Sequence, residues 1–431
     1  MSAKWNDPDS TYDSYVVHPE DSSDIYYKSE YATVFGTLNG NRQISEQEIA
    51  FSANSKMKID VGNKSPVWEK GNFDVGTGEC RLTLREMMTG MATYGEADVK
   101  PGKFANYKHG ACYVRQVDSP AQPIVGSESQ YNIKKVIKDI VKLEKEALVD
   151  WRRREIDLDA FRAIFHGASR GLLLTEDGGK GISLAGGTAG QARAPYNTYV
   201  AGQTGLTTPS ATLATHNASL YTALGTLSDD DAYAFTYESH LYNSYLLDQI
   251  GGEESSVEVG GIEYRAIALI DERNMYRMMA VGGTLSNLFR DATARAEKNK
   301  ALYTRQKIVL DDILYVPVRQ LAWFRPTVEN NVITWGCGLT QDPRLKSFTN
   351  TSNITSTVYL RAGALLRGRR KGIEITTSVG PHGKGTSYCM HYHDGWTRMD
   401  WFSKDGRSEM MNDTMLVTFN YDKGVGVAYN Q

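Results

Sequence analysis

The chain has 431 residues, 41% hydrophobic and 23% charged, an ordinary globular composition with room for two or three domains. Its 51 acidic and 48 basic side chains leave a net charge of −3. That balance argues against tight, free-standing DNA binding, which needs a strongly basic surface. No apolar run approaches the ~18 residues of a membrane span, and the start Met1-Ser2-Ala3-Lys4-Trp5 lacks the apolar stretch of a secretory signal.

Residues 1–40 are polar, and their first thirty carry seven acids (Asp7, Asp9, Asp13, Glu20, Asp21, Asp24, Glu30) against Lys4 and Lys28. Such a segment has no core of its own and predicts an arm that must lie on something else. Short strand-like pieces follow, with Met57, Ile59 and Val61 alternating. Residues 75–118 predict a long β-hairpin. Cys80, Leu82 and Leu84 alternate on the way out, Gly95, Pro101 and Gly102 mark an elaborate tip, and Ala111 to Val117 return. A two-stranded ribbon is not stable alone in water, so it too needs a support.

Between Ser127 and His166 lies no glycine or proline. Ile133, Val136, Ile137, Ile140, Leu143, Ala147, Leu148 and Trp151 recur at helical spacing, with Lys134, Lys135, Lys138, Asp139, Lys142, Lys145 and Glu146 opposite. This predicts one helix of about 25–30 residues, roughly 40 Å long. Asp157 is expected to cap a second, shorter helix that presents Leu158, Phe161 and Phe165 and stops at Gly167. Residues 167–205 hold ten glycines and predict loops and short strands. Asp229 to Ile250 reads as a helix with an acidic first turn. A strand pair is expected about Gly260-Gly261, helices at 272–281 and 284–299, and one strand from Ile308 to Val318. From Val332 strands dominate: Val358–Leu366, Ile373–Thr377, Tyr388–His393, Trp396–Trp401 and Met415–Tyr421. Asp394-Gly395 and Asp405-Gly406 read as turns between them. The order of arm, hairpin, long helix, mixed region and antiparallel strands is that of an α+β protein.

Few constellations carry chemistry. Gly167-Ala168-Ser169-Arg170-Gly171 has the GxSxG spacing of a nucleophile elbow, but that motif requires a strand before the serine and a helix after it, and here the order is reversed. Cys389, His391 and His393 alternate along one strand, with His382 and Asp394 nearby, yet no CxxC or HExxH spacing supports a metal site. Gly178-Gly179-Lys180-Gly181 lacks the serine or threonine of a phosphate loop. The four cysteines, Cys80, Cys112, Cys337 and Cys389, form no CxxC, and reduced thiols in a cytosolic setting are the default expectation. Cys80 and Cys112 flank the predicted hairpin and could approach each other. Two basic runs remain, Arg152-Arg153-Arg154 and Arg367-Gly368-Arg369-Arg370-Lys371. Either could meet a polyanion; a solvated face, or salt bridges to a neighbour's acidic arm, is the commoner explanation.

This order of segments resembles the major capsid protein of tailed bacteriophages, whose fold is shared with herpesvirus capsid floors and encapsulin shells. Local runs are similar to a divergent podovirus-type branch: Met87-Met88-Thr89-Gly90-Met91, then Thr93 to Gly102, Tyr107-Lys108-His109, Phe165-His166-Gly167-Ala168-Ser169-Arg170-Gly171 and Asp394-Gly395-Trp396. The resemblance spans most of residues 40–431. It implies an N-arm (1–40), an extended loop (75–118), a peripheral domain with a spine helix (119–205), an axial domain (206–330) and C-terminal strands returning to the peripheral domain (331–431). It also implies a structural protein without catalytic, metal or cofactor sites. Such a protein assembles with itself into hexamers and pentamers of an icosahedral shell, with a separate scaffolding protein, a portal protein and non-specifically packaged double-stranded DNA as partners. Its expected place is the virion, and the host cytoplasm during assembly, with no membrane. Arg152, Arg153, Arg154, Arg367, Arg369 and Arg370 are then the candidates for an interior, DNA-facing surface. The alternatives are an encapsulin-like cargo shell, a hydrolase using Ser169, or a metal enzyme using Cys389, His391 and His393.

Overall fold

The computed structural model describes residues 35, 64–71, 79–85, 107–120, 122–124, 137–167, 195, 197–206, 213–228, 230–250, 256–259, 262–279, 308–324, 326–329, 332–335, 353–379, 386–398, 402–403 and 414–422. The arm apart from Phe35, the hairpin tip, residues 127–136, Ser169, the glycine-rich stretch 178–190, the expected helix 284–299 and His382 lie outside them.

In chain order, the first strands are β1 (Val67–Gly71), β2 (Glu79–Arg85), β3 (Tyr107–Tyr113), β4 (Arg115–Asp118) and β5 (Gln122–Ile124). Helix α1 (Ile137–His166) precedes β6 (Thr198–Val200), α2 (Leu213–Gly225) and α3 (Tyr237–Ile250). Then come β7 (Val257–Val259), β8 (Ile262–Tyr264), β9 (Ala266–Ile270), α4 (Glu272–Met279), β10 (Ile308–Leu310) and β11 (Ile313–Pro317). The last elements are β12 (Pro326–Glu329), β13 (Val332–Trp335), β14 (Ile354–Leu360), β15 (Leu365–Val379), β16 (Thr386–Arg398), β17 (Phe402–Ser403) and β18 (Met415–Tyr421).

A six-stranded mixed sheet runs β10-β11-β9-β14-β18-β6. Its strands are buried on both faces, and the period of two divides them cleanly. Ile267, Leu269, Leu314, Val358, Leu360, Val417 and Phe419 join one core with Ile156, Phe161, Ile164 and Phe165 of α1. Ala266, Ala268, Ile270, Ile313, Tyr315, Tyr359 and Leu416 join a second core with Leu246 and Leu247 of α3 and Met275 and Met278 of α4. Beside it, β1 pairs in parallel with β15, β15 with β16, and both β4 and β5 with β16. Trp396 and Leu365 carry this second sheet into the first core.

The 30-residue α1 is one helix, not a long one followed by a short one. Asp157 sits within it, buried, its Oδ1 3.5 Å from the backbone N–H of Phe35. Phe35 also meets the rings of Phe161 and Trp396 edge-on, at 5.1 and 5.9 Å. From Glu155 to Phe165 every side chain of α1 is buried, so this part of the helix is enclosed on all sides and has no exposed stripe. The stop at Gly167 is as expected: φ is 89° and the glycine N–H reaches the Ala163 carbonyl at 2.9 Å, an αL cap.

Four further expectations need correction. Helix α3 starts at Tyr237 and not at Asp229, because Thr236 and Ser239 cap each other's N–H groups reciprocally at 3.3 Å. Ile308 to Val318 is not one strand. Asp311 and Asp312, with φ 47° and 60°, fold it into the hairpin of β10 and β11. The expected strand Val358–Leu366 is broken at Arg361–Ala364, where Gly363 takes φ 72°, and belongs half to β14 and half to β15. Asp394-Gly395 is no turn: both residues pair inside β16, opposite Arg369 and Gly368.

Candidate functional site

The two basic runs were the sequence's strongest candidates for a surface that meets a polyanion, and burial divides them. On α1, Arg152 is 2% exposed and lies over the Tyr392 ring at 5.0 Å, whereas Arg153 is exposed and Arg154 half-buried. On β15, Arg367 is 1% exposed. Its Nε and Nη2 donate to the two carboxylate oxygens of Asp394 at 3.0 and 2.8 Å, and its guanidinium stacks over Trp396 at 4.9 Å. Asp394 further accepts from the Gly395 N–H at 3.0 Å and the Trp396 indole at 3.3 Å, which satisfies a carboxylate that would otherwise be costly to bury. Arg369 pairs with the buried Glu69 of β1, and burial is the main cause that lowers its pKa. Arg370 follows where the β15–β16 register slips between Arg369 and Ile373. Arg152 and Arg367 are therefore removed from any surface of the folded chain. The reason is that α1 and β15 are covered on more faces than a single apolar stripe suggests.

The alternating Cys389, His391 and His393 sit on β16, where His391 and His393 pair with Asp118 and Gln116 of β4. His391 is engaged at both ring nitrogens: Nδ1 lies 2.6 Å from Asp118 Oδ1 and Nε2 2.7 Å from the Thr376 hydroxyl. Hydrogen bonds from His391 and then Gln116 hold the Asp118 carboxyl below its ordinary range. The Cys389 thiol donates to the Ser119 carbonyl at 3.1 Å. Among the described residues no group of three or more His, Cys, Asp or Glu is placed to share a metal ion, and no helix is long and apolar enough to cross a membrane.

Sequence reasoning missed a buried polar chain behind α3. The Asn243 amide donates to the Tyr359 hydroxyl at 3.1 Å, and the Tyr359 and Tyr315 hydroxyls lie 3.1 Å apart. The Tyr315 hydroxyl is 2.6 Å from His240 Nδ1, and His240 Nε2 is 3.0 Å from Asp311 Oδ2. An ionised Asp311 can only accept, so Nε2 carries the imidazole proton and Nδ1 accepts from Tyr315. Tyr315 in turn accepts from Tyr359, and the direction of every bond is fixed. Burial raises both phenols, Tyr359 to about 12. Burial also lowers the His240 pKa, against the raising effect of Asp311. The sequence signal was a tyrosine on each of two strands, Tyr315 on the apolar β11 and Tyr359 between Val358 and Leu360 on β14.

No protein-family model matches the sequence, and no curated protein does. Solved structures do match. The chain is similar to a chain of the cyanophage Pam1 capsid asymmetric unit with a TM-score of 0.54 and 13% identity, over 86% of this chain and 95% of that one. It is similar to a chain of the capsid of Ralstonia phage GP4 with a TM-score of 0.51 and 13% identity, over 86% and 94%. At such identity what is shared is the path of the backbone. The α+β arrangement of a long helix, a hairpin and two larger sheets is the fold shared with these two phage capsid chains.

Proposed function

We propose that the chain is a major capsid protein, which assembles with itself into a closed icosahedral shell of hexamers and pentamers around double-stranded DNA. The supporting observation is the extent of the match: 95% of the Pam1 capsid chain is aligned with 86% of this chain. In this reading residues 1–40 embrace a neighbouring subunit and residues 75–118 lie across it. Residues 119–205 form the peripheral domain, 206–330 the axial domain, and 331–431 return to the peripheral domain. Each subunit gives and receives the same contacts, as closed symmetry requires. A scaffolding protein and a portal protein are its partners, the virion its place, and its role is structural and not catalytic. The DNA-facing role of the basic runs falls first to Arg153, the exposed arginine on α1.

The test is negative-stain electron microscopy with light scattering on the purified full chain, alone and with scaffold-containing lysate. Closed particles, or rings of five and six, are expected. A monodisperse monomer or dimer under both conditions overturns the reading.

A further inference from the structure

We infer that Cys80 and Cys112 form a disulfide site that locks the root of the β2–β3 hairpin. The strand register brings the two cysteines together whether or not the chain builds a shell. The two strands pair over seven consecutive positions without a slip, from Glu79 opposite Tyr113 to Arg85 opposite Tyr107. Cys80 and Cys112 are direct partners in that ladder. Directly opposed residues of an antiparallel pair occupy the same face, with Cα atoms about 4.5–5.5 Å apart. A disulfide accepts Cα separations of roughly 4.4–6.8 Å, so the ladder brings the two backbones within range, and closing the bond draws the Cβ atoms from about 4.5–5.5 Å to about 3.5–4.5 Å. A slip of one residue would put the two cysteines on opposite faces and forbid the bond. The chain has only four cysteines in 431 residues, and two of them fall on one rung.

The chemistry is thiol–disulfide exchange with a low-molecular-weight disulfide as oxidant. One cysteine thiolate attacks a sulfur of the small disulfide, forms a mixed disulfide and releases one small thiol. The second cysteine thiolate then attacks the protein sulfur of the mixed disulfide and releases the other small thiol. Two protein thiols are oxidised and one small disulfide is reduced to two thiols. In a reducing cytosol the pair stays open; in an oxidising medium it closes. Closure makes residues 80–112 a covalently closed loop, and β2 and β3 can then no longer part at that rung.

The experiment titrates the full chain through glutathione buffers from reducing to oxidising, quenches with acid, alkylates, and digests with trypsin. Alkylatable thiols are expected to fall from four to two. A joined peptide pair, residues 71–81 with 109–115, should appear and vanish with reductant. The product should remain a single chain on a non-reducing gel, and Cys112→Ser should abolish the joined peptide. Four free thiols across the whole series overturn the inference. So does a linkage that involves Cys337 or Cys389, or one that joins two chains.

Discussion

Arg367 and Asp394 form a two-pronged ion pair that reaches diagonally across the β15–β16 ladder, with 1% and 3% of their side chains exposed. The pair is closed by the Trp396 ring below and its indole N–H beside it. Asp394→Ala would leave a buried guanidinium without its counter-ion and should cost about 3–5 kcal/mol. The combined change Arg367→Met with Asp394→Leu should cost much less than the two single changes added together. Urea midpoints of the unassembled chain measure both.

Gly363 cannot be replaced without conflict. Its φ of 72° suits glycine, and an added Cβ would stand 2.8 Å from both Cε2 and Cζ2 of Trp68. Gly363→Ala should destabilise by about 2–4 kcal/mol, the sum of the left-handed backbone and the overpacked ring. Trp68→Phe in the same background should recover part of the loss in thermal unfolding, since it removes the atoms in the way.

His240 makes stability depend on pH. Its folded pKa lies below the unfolded value of about 6.5, chiefly through burial, helped by the Arg265 charge and opposed by Asp311. The unfolded chain therefore binds the proton more readily. Stability contributed by neutral His240 is full above about pH 6.5 and is lost as pH falls toward the folded pKa. Protonation would also force the Tyr315 hydroxyl to reverse. The denaturation midpoint should drop on acidification through this window, and His240→Gln should flatten the slope.

The turn between β10 and β11 should separate two neighbouring aspartates. Asp312 holds φ 60° at a position that favours glycine, and its backbone carbonyl accepts from the Arg265 N–H at 2.8 Å. Asp312→Gly keeps that bond and should stabilise by about 0.5–1 kcal/mol. Asp311→Gly gains similar backbone ease but removes the acceptor of His240, and should be neutral or destabilising. Chemical denaturation of the two variants side by side decides it.

What the sequence made legible follows from periodicity. The first half of α1 was readable because Ile137, Ile140, Leu143 and Leu148 recur against lysines. The second half was not, because buried Glu155, Asp157, Asp159 and Arg162 break the apolar count; there Arg162 answers Asp159 and Glu155 across helical turns. Asp157 looked like a cap because nothing local reveals that it lies against Phe35. The first half of β14 was missed for a related reason: Thr355, Ser356 and Thr357 carry no apolar pattern, yet all three are buried beside β18, with Thr355 bonded to Asn274 at 2.7 Å. Asp394-Gly395 read as a turn because its ion-pair partner lies on another strand. For the basic runs, residue type indicated charge but not that Arg152 and Arg367 are held by Tyr392, Asp394 and Trp396. In each case the missing information is a contact distant in sequence.

The pairing of β1 with β15 has a consequence for how the chain is made. Val67 lies beside Leu365, and the second sheet also needs β16, which ends at Arg398. At ~5–20 residues per second, a ribosome finishes β1 roughly 15–60 s before its partner strand exists. Helix α1 waits similarly for β16 to cover Trp151 and Arg152. The nascent chain thus carries unmatched apolar faces through most of its synthesis, and its folding yield should depend on what shields them in that interval.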